Sequence, residues 1–173
     1  MAALTYESIA SATGNGSSGS ITFSSIPSTY TDLQLVIWAQ STASTPNCAV
    51  TFNGDTGSNY GYTLYSASSG STIQYGISQG GTYLYLTSGN NIGNTVPSMR
   101  TLDIFQYANT SFSKCLFSRE TSTVNSSTAA ASYQASNSLC WASTAAINSM
   151  NIYLLSNAFA TTTIVSLYGI KAA

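Results

Sequence analysis

Apolar and polar residues alternate in short bursts along almost the whole chain. Val50 and Phe52 flank Thr51, and Tyr60, Tyr62 and Leu64 alternate with Gly61, Thr63 and Tyr65. Leu33, Leu35, Ile37 and Ala39 alternate with Gln34, Val36 and Trp38. The same period recurs in Ile73, Tyr75, Ile77, in Leu102, Ile104, Gln106, and in Met150, Ile152, Leu154. A period of two sends successive side chains to opposite faces, so each run predicts a half-buried strand. Asn53-Gly54-Asp55 followed by Gly57 is turn chemistry, because Asn and Gly tolerate positive φ, and it predicts a hairpin between the strands ending at Phe52 and starting at Tyr60.

The remaining stretches fit the same scheme. Ile21-Thr22-Phe23 is a brief strand stopped by Ile26-Pro27-Ser28, and Tyr83 and Tyr85 share one face of a strand with Leu84 and Leu86 on the other. Residues 114–119 and the β-branched run 163–170 add two more strands. Residues 129–136 are ambiguous: alanine favours helix, but Ala131, Tyr133 and Ala135 alternate and no helical apolar stripe accompanies them, so a strand is expected. Residues 41–47, 66–71, 88–98 and 121–128 read as loops or turns. About ten short strands with turn signals between them and no long helix predict an all-β fold, an antiparallel β-sandwich of jelly-roll-like type, over a closed barrel. A parallel βαβ arrangement lacks its helices.

At the N-terminus Leu4, Tyr6 and Ile9 form a short apolar pattern, followed by the Ser/Gly-rich residues 11–20. Two readings stay open. Residues 1–20 form an arm on a flexible linker ahead of a β-sandwich domain of residues 21–173, or they form a first strand and long loop of the same sheet.

Composition narrows the function. Only 5% of the 173 residues are charged, against about 25% in ordinary soluble domains. A net charge of −1 argues against nucleic acid and against an anionic membrane surface as partners. With 43% hydrophobic and 12% aromatic residues the chain is too apolar for disorder. So little charge protects a free monomer poorly, which favours a life in an assembly. No apolar run approaches the length of a membrane span, and the first residues show neither the basic nor the apolar region of a signal peptide.

Catalytic chemistry is sparse. With no histidine, Ser-His-Asp and Cys-His systems and imidazole metal sites are excluded. A glycosidase needs two facing carboxylates; Asp55 with Asp103 or Glu120 are the candidates, but their default role is as solvated turn and edge charges. Asn53, Asp55 and Ser58 space oxygen ligands like a calcium loop, yet with a single carboxylate, and Asx-turn hydrogen bonding accounts for the same residues. No enzyme activity, cofactor or metal is expected. Cys48, Cys115 and Cys140 are odd in number and far apart in sequence, without metal spacing, and read as buried free thiols on strands in preference to a disulfide. Trp38, Trp141 and the twelve tyrosines suit sugar stacking, or else half-buried strands and subunit interfaces.

Four stretches together resemble a family of tailed-bacteriophage virion proteins, often seen in phages of aquatic bacteria including cyanophages. They are residues 21–33 (ITFSSIPSTYTDL), 52–60 (FNGDTGSNY), 141–147 (WASTAAI) and 166–171 (SLYGIK). The resemblance is nearest to capsid decoration, or cement, proteins. It implies a non-enzymatic β-sandwich virion protein, assembled in the bacterial host cytoplasm, that sits as a homotrimer on the outer capsid surface and clamps neighbouring copies of the major capsid protein. Leu4, Tyr6 and Ile9 are then the expected capsid-contact arm, adding a strand to a neighbour's sheet edge. Similar sequences also occur among tail and fibre proteins, so the alternative is a tail-fibre or receptor-recognition module that binds host surface glycans.

Overall fold

Leu33, Leu35 and Ile37, Val165 and Leu167, and Leu102 and Ile104 all point one way from neighbouring strands and are fully buried. They meet Ile21, Phe23, Val50, Phe52, Met150 and Ile152 from a second sheet, and the two apolar faces together make the core. The computed structural model describes residues 5–43, 46–68, 73–86, 92–123 and 132–171. Among these there are twelve strands and no helix: β1 (Thr5–Thr13), β2 (Ser20–Phe23), β3 (Asp32–Ala39), β4 (Cys48–Phe52), β5 (Tyr60–Ser68), β6 (Gln74–Gly81), β7 (Leu84–Tyr85), β8 (Ser98–Ile104), β9 (Lys114–Thr123), β10 (Ser132–Trp141), β11 (Met150–Leu154) and β12 (Ile164–Lys171). They form an eight-stranded antiparallel sheet, β1-β12-β3-β8-β9-β10-β5-β6, packed on a four-stranded one, β2-β11-β4-β7. The expected all-β sandwich is what forms.

Only β5–β6, β8–β9 and β9–β10 are consecutive strands paired in one sheet; every other connection crosses between the sheets. The hairpin expected around Asn53-Gly54-Asp55 is one of those crossings. β4 pairs with β11 and β7 in the small sheet, whereas β5 pairs with β10 and β6 in the large one. The turn chemistry was legible, since Asn53 and Gly54 both have positive φ. What it could not report is whether the strands it joins are hydrogen-bonded to each other. Burial decided against it: all five residues of β4 are buried, so β4 sits inside a sheet with a partner on each side.

Element bounds differ in the way local pattern predicts least well. β8 ends at Ile104, and Gln106 takes a positive φ, so the alternation through Tyr107 continues past the strand. β9 runs on to Thr123, into residues expected as loop, because β10 pairs with it up to Ser132↔Thr123. In the 129–136 stretch, residues from 132 on are strand as expected, and 129–131 lie outside the described residues.

The N-terminal residues form β1, the edge strand of this chain's own large sheet, paired from Thr5↔Lys171 to Thr13↔Ile164 with a bulge at Ile9. The Ser/Gly-rich stretch after it is docked. Asn15 Oδ1 accepts the N–H groups of Ser17 (2.9 Å) and Ser18 (2.7 Å), and Gly16 N–H donates to Phe159 O at 2.9 Å. Of the two readings left open, β1 corresponds to the first strand of the same sheet.

Candidate functional site: the outer face and edges of the large sheet

The Asp55 loop was the first sequence candidate, and its geometry is that of a clasp. Asp55 Oδ1 accepts Gly57 N–H at 2.8 Å, while Oδ2 accepts Asn59 Nδ2 (2.9 Å) and the indole Nε1–H of Trp141 (2.7 Å). The indole bond, then the other two, holds the Asp55 carboxyl below the usual carboxylate range. The Tyr60 hydroxyl donates to Asp55 O and accepts Phe52 N–H, and burial pushes its pKa up to about 12. Asn53 reaches Ala146 O at 2.7 Å and accepts Asn148 N–H at 2.9 Å. Three donors already claim the carboxylate, which suits a loop clasp. Among the described residues no three His, Cys, Asp or Glu side chains gather into a metal site.

The other carboxylates are also tied into the fold. Asp103, on the outer face of the large sheet, pairs with Arg119 (3.1 Å) and accepts Gln34 Nε2 (2.7 Å). Glu120 lies on the opposite, inner face in an ion pair with Arg100, both side chains 1% exposed. Glu120 is therefore not the solvated edge charge expected. The phase was readable: Arg100 is two residues from inward Leu102, and Glu120 four from inward Leu116. Each of the three carboxylates considered for a facing pair is therefore engaged elsewhere, Asp55 in its loop clasp, Asp103 with Arg119 and Glu120 with Arg100. Lys114, also buried, donates to the carbonyls of Asn109, Phe112 and Thr144, and burial lowers its pKa.

Functional character concentrates instead on the outer face of the large sheet. Ile164, Trp38 and Met99 are cross-strand neighbours on β12, β3 and β8, all three substantially exposed. At the far edge Tyr65 pairs with Tyr75 and Thr63 with Ile77, leaving Tyr75 80% and Ile77 69% exposed. Exposed apolar clusters of this kind mark interaction sites. Between β6 and β10 an uncharged groove of about 450 Å³ is bordered by Asn59, Thr63, Gln79 and Ser138 beside Ile77. Trp141 is 2% exposed and stacks on Tyr60 at 6.4 Å, so of the two tryptophans only Trp38 is available to a ligand.

The residues expected in a capsid-contact arm sit at the opposite edge. Tyr6 faces outward beside Ile170 and is 60% exposed, whereas Ile9, at the bulge, is half-buried against the core. Leu4 lies outside the described residues. β1 is fastened by a cluster at its start. The Glu7 carboxylate meets Lys171 Nζ at 2.9 Å and the Tyr30 hydroxyl at 3.2 Å, and the Tyr30 ring lies against Gly169. A Cβ at Gly169 would fall 2.3 Å from that ring, so only glycine fits. None of the three cysteines is in a disulfide, but only Cys48 is buried as expected; Cys115 is exposed and Cys140 half-buried.

Compared with known proteins, the chain matches no family model, no curated protein and no solved structure.

Proposed function

We propose that the chain is a phage capsid decoration protein, a non-enzymatic virion component that binds the assembled shell and stabilises it by bridging neighbouring capsid subunits. The observation that carries this reading is a pair of exposed apolar clusters on the large sheet, Ile164, Trp38 and Met99 in one and Tyr65, Tyr75 and Ile77 in the other, on a chain with almost no charge. Apolar and aromatic patches depleted of charge are what buried interface centres are made of. The family resemblance supplies the partner, the major capsid protein, and the homotrimer. Binding the assembled lattice and not dissociated subunits shifts the equilibrium toward the shell by mass action. Among the described residues β6 pairs only with β5, which leaves a main-chain edge for strand addition, and exposed Tyr6 on β1 gives a second contact at the N-terminal edge.

A reconstruction of the virion tests the reading directly: density for this fold is expected on the outer capsid surface, and its location on the tail would overturn it. Tyr6→Lys tests the N-terminal contact, since the chain should remain folded and lose capsid affinity; unchanged binding would sink that part alone. A second reading, a tail-fibre module binding host glycans, draws support from the uncharged groove beside Ile77 and from exposed Trp38 and Tyr75. Binding to neutral oligosaccharides that Trp38→Ala or Tyr75→Ala abolishes would favour it.

A further inference from the structure

Cys115 and Cys140 are 25 positions apart in sequence, yet they are directly opposite each other on the paired strands β9 and β10. Directly opposed residues of an antiparallel pair hold their Cα atoms about 4.5–5.5 Å apart, inside the roughly 4.4–6.8 Å that a disulfide spans. Both side chains project from the outer face, Cys115 exposed and Cys140 half-buried. The next residue in the same cross-strand row is Gly61 on β5, which has no side chain to cover Cys140. Cys140 therefore borders the groove between β10 and β6, open to a small reagent. Burial raises the Cys140 pKa, and negative charge on Cys115 raises it further, as expected of adjacent thiols. The third thiol is different: Cys48 is buried within β4, and burial pushes its pKa up to about 12.

We propose that Cys115 and Cys140 form a reversible cross-strand dithiol–disulfide site, oxidised by low-molecular-weight disulfides. The Cys115 thiolate, the more accessible, attacks one sulfur of the reagent, expels a thiolate and becomes a mixed disulfide. The Cys140 thiolate then attacks the Cys115 sulfur, releases the second thiolate and closes the bond between β9 and β10. Two protons leave the protein and two protonate the released thiols, so the exchange balances without any other oxidant. The product staples two central strands of the large sheet and shortens the unfolded chain's freedom between residues 115 and 140. A chain that passes from a reducing to an oxidising medium would gain stability by this route without a change of fold.

Oxidised glutathione, added to the full chain in solution, is the test. Free thiols should fall from three to one. Intact mass should drop by two hydrogen atoms with no lasting glutathione adduct, peptide mapping should join Cys115 to Cys140, and a reducing agent should reverse all of it. The oxidised form should melt higher, by roughly 5 °C or more. Cys140→Ser should trap the glutathione adduct on Cys115, and Cys115→Ser should suppress both adduct and crosslink. A stable adduct on Cys115 in the unaltered chain, a crosslink involving Cys48, or three unreacted thiols in the folded protein would each overturn the proposal.

Discussion

The two edges of the large sheet meet the same hazard to different degrees. Any edge strand presents unpaired N–H and C=O groups, and proteins that do not use an edge blunt it with charge, bulges or packing. β1 has all three: the bulge at Ile9, the Glu7–Lys171 pair, and Ile9, Ala10 and Ala12 packed against the core. β6 has a bulge of its own near Gly80, between the Tyr60↔Gly81 and Tyr62↔Ser78 pairs, but neither of the other two devices from Gln74 to Ile77. From Gln74 to Gly81 it carries no charge, and Tyr75 and Ile77 stand exposed on it. The fold guards the N-terminal edge more fully than the β6 edge, so β6 is the stronger place to look for a partner.

The largest expected effect attacks the guarded edge. Gly169→Ala places a Cβ into the Tyr30 ring and should cost about 3 kcal/mol, at the upper end for overpacking. Denaturant unfolding should show the loss, and limited proteolysis should find β1 opened first. A variant as stable as the parent would mean that Tyr30 does not hold β1.

At the other end, Asp55→Ala leaves the buried Trp141 indole N–H without its acceptor where the chain enters β5. It should cost roughly 2 kcal/mol. The acid limb sharpens this. The folded carboxyl of Asp55 lies below its ordinary 3.8, so its contribution is present above about pH 3.8 and fades as pH falls through the folded value. Asp55→Asn should flatten that part of the stability–pH curve, and an unchanged curve would remove Asp55 from the account.

The smallest effect on folding is the one that decides between the edges. Ile77→Lys, at an exposed position, should change stability by no more than about 0.5 kcal/mol while weakening self-association or capsid binding. Tyr6→Lys on β1 should weaken it less. Equal effects in sedimentation or shell-binding assays would break the comparison.

Much of the fold was legible because period-two alternation is a local signal. The inward phases of β3, β8, β11 and β12 follow from their residues, and Leu84 and Leu86 are buried opposite Tyr83 and Tyr85, as the pattern implied. The candidate site was less legible. The stretches that carry the family resemblance meet as fold anchors, with Asp55 on Trp141 and Tyr30 on Gly169. They speak for architecture more than for a binding surface. Ile73, Tyr75 and Ile77 alternate as a buried strand would, yet Tyr75 and Ile77 project from the outer face of the large sheet, which no second layer of described residues covers.

The amino-acid sequence by itself determined that this chain builds strands, which face of most of them is apolar, and that it has few charges with which to stay apart from partners. Tertiary structure alone decided which strands pair. That choice sent the Asn53–Asn59 turn across the sandwich, brought Arg100 and Glu120 together, put β6 at an edge and set Cys115 opposite Cys140. The physical reason is range. Side-chain alternation is set between neighbours along the chain, whereas strand order is set by how two whole apolar faces close on each other.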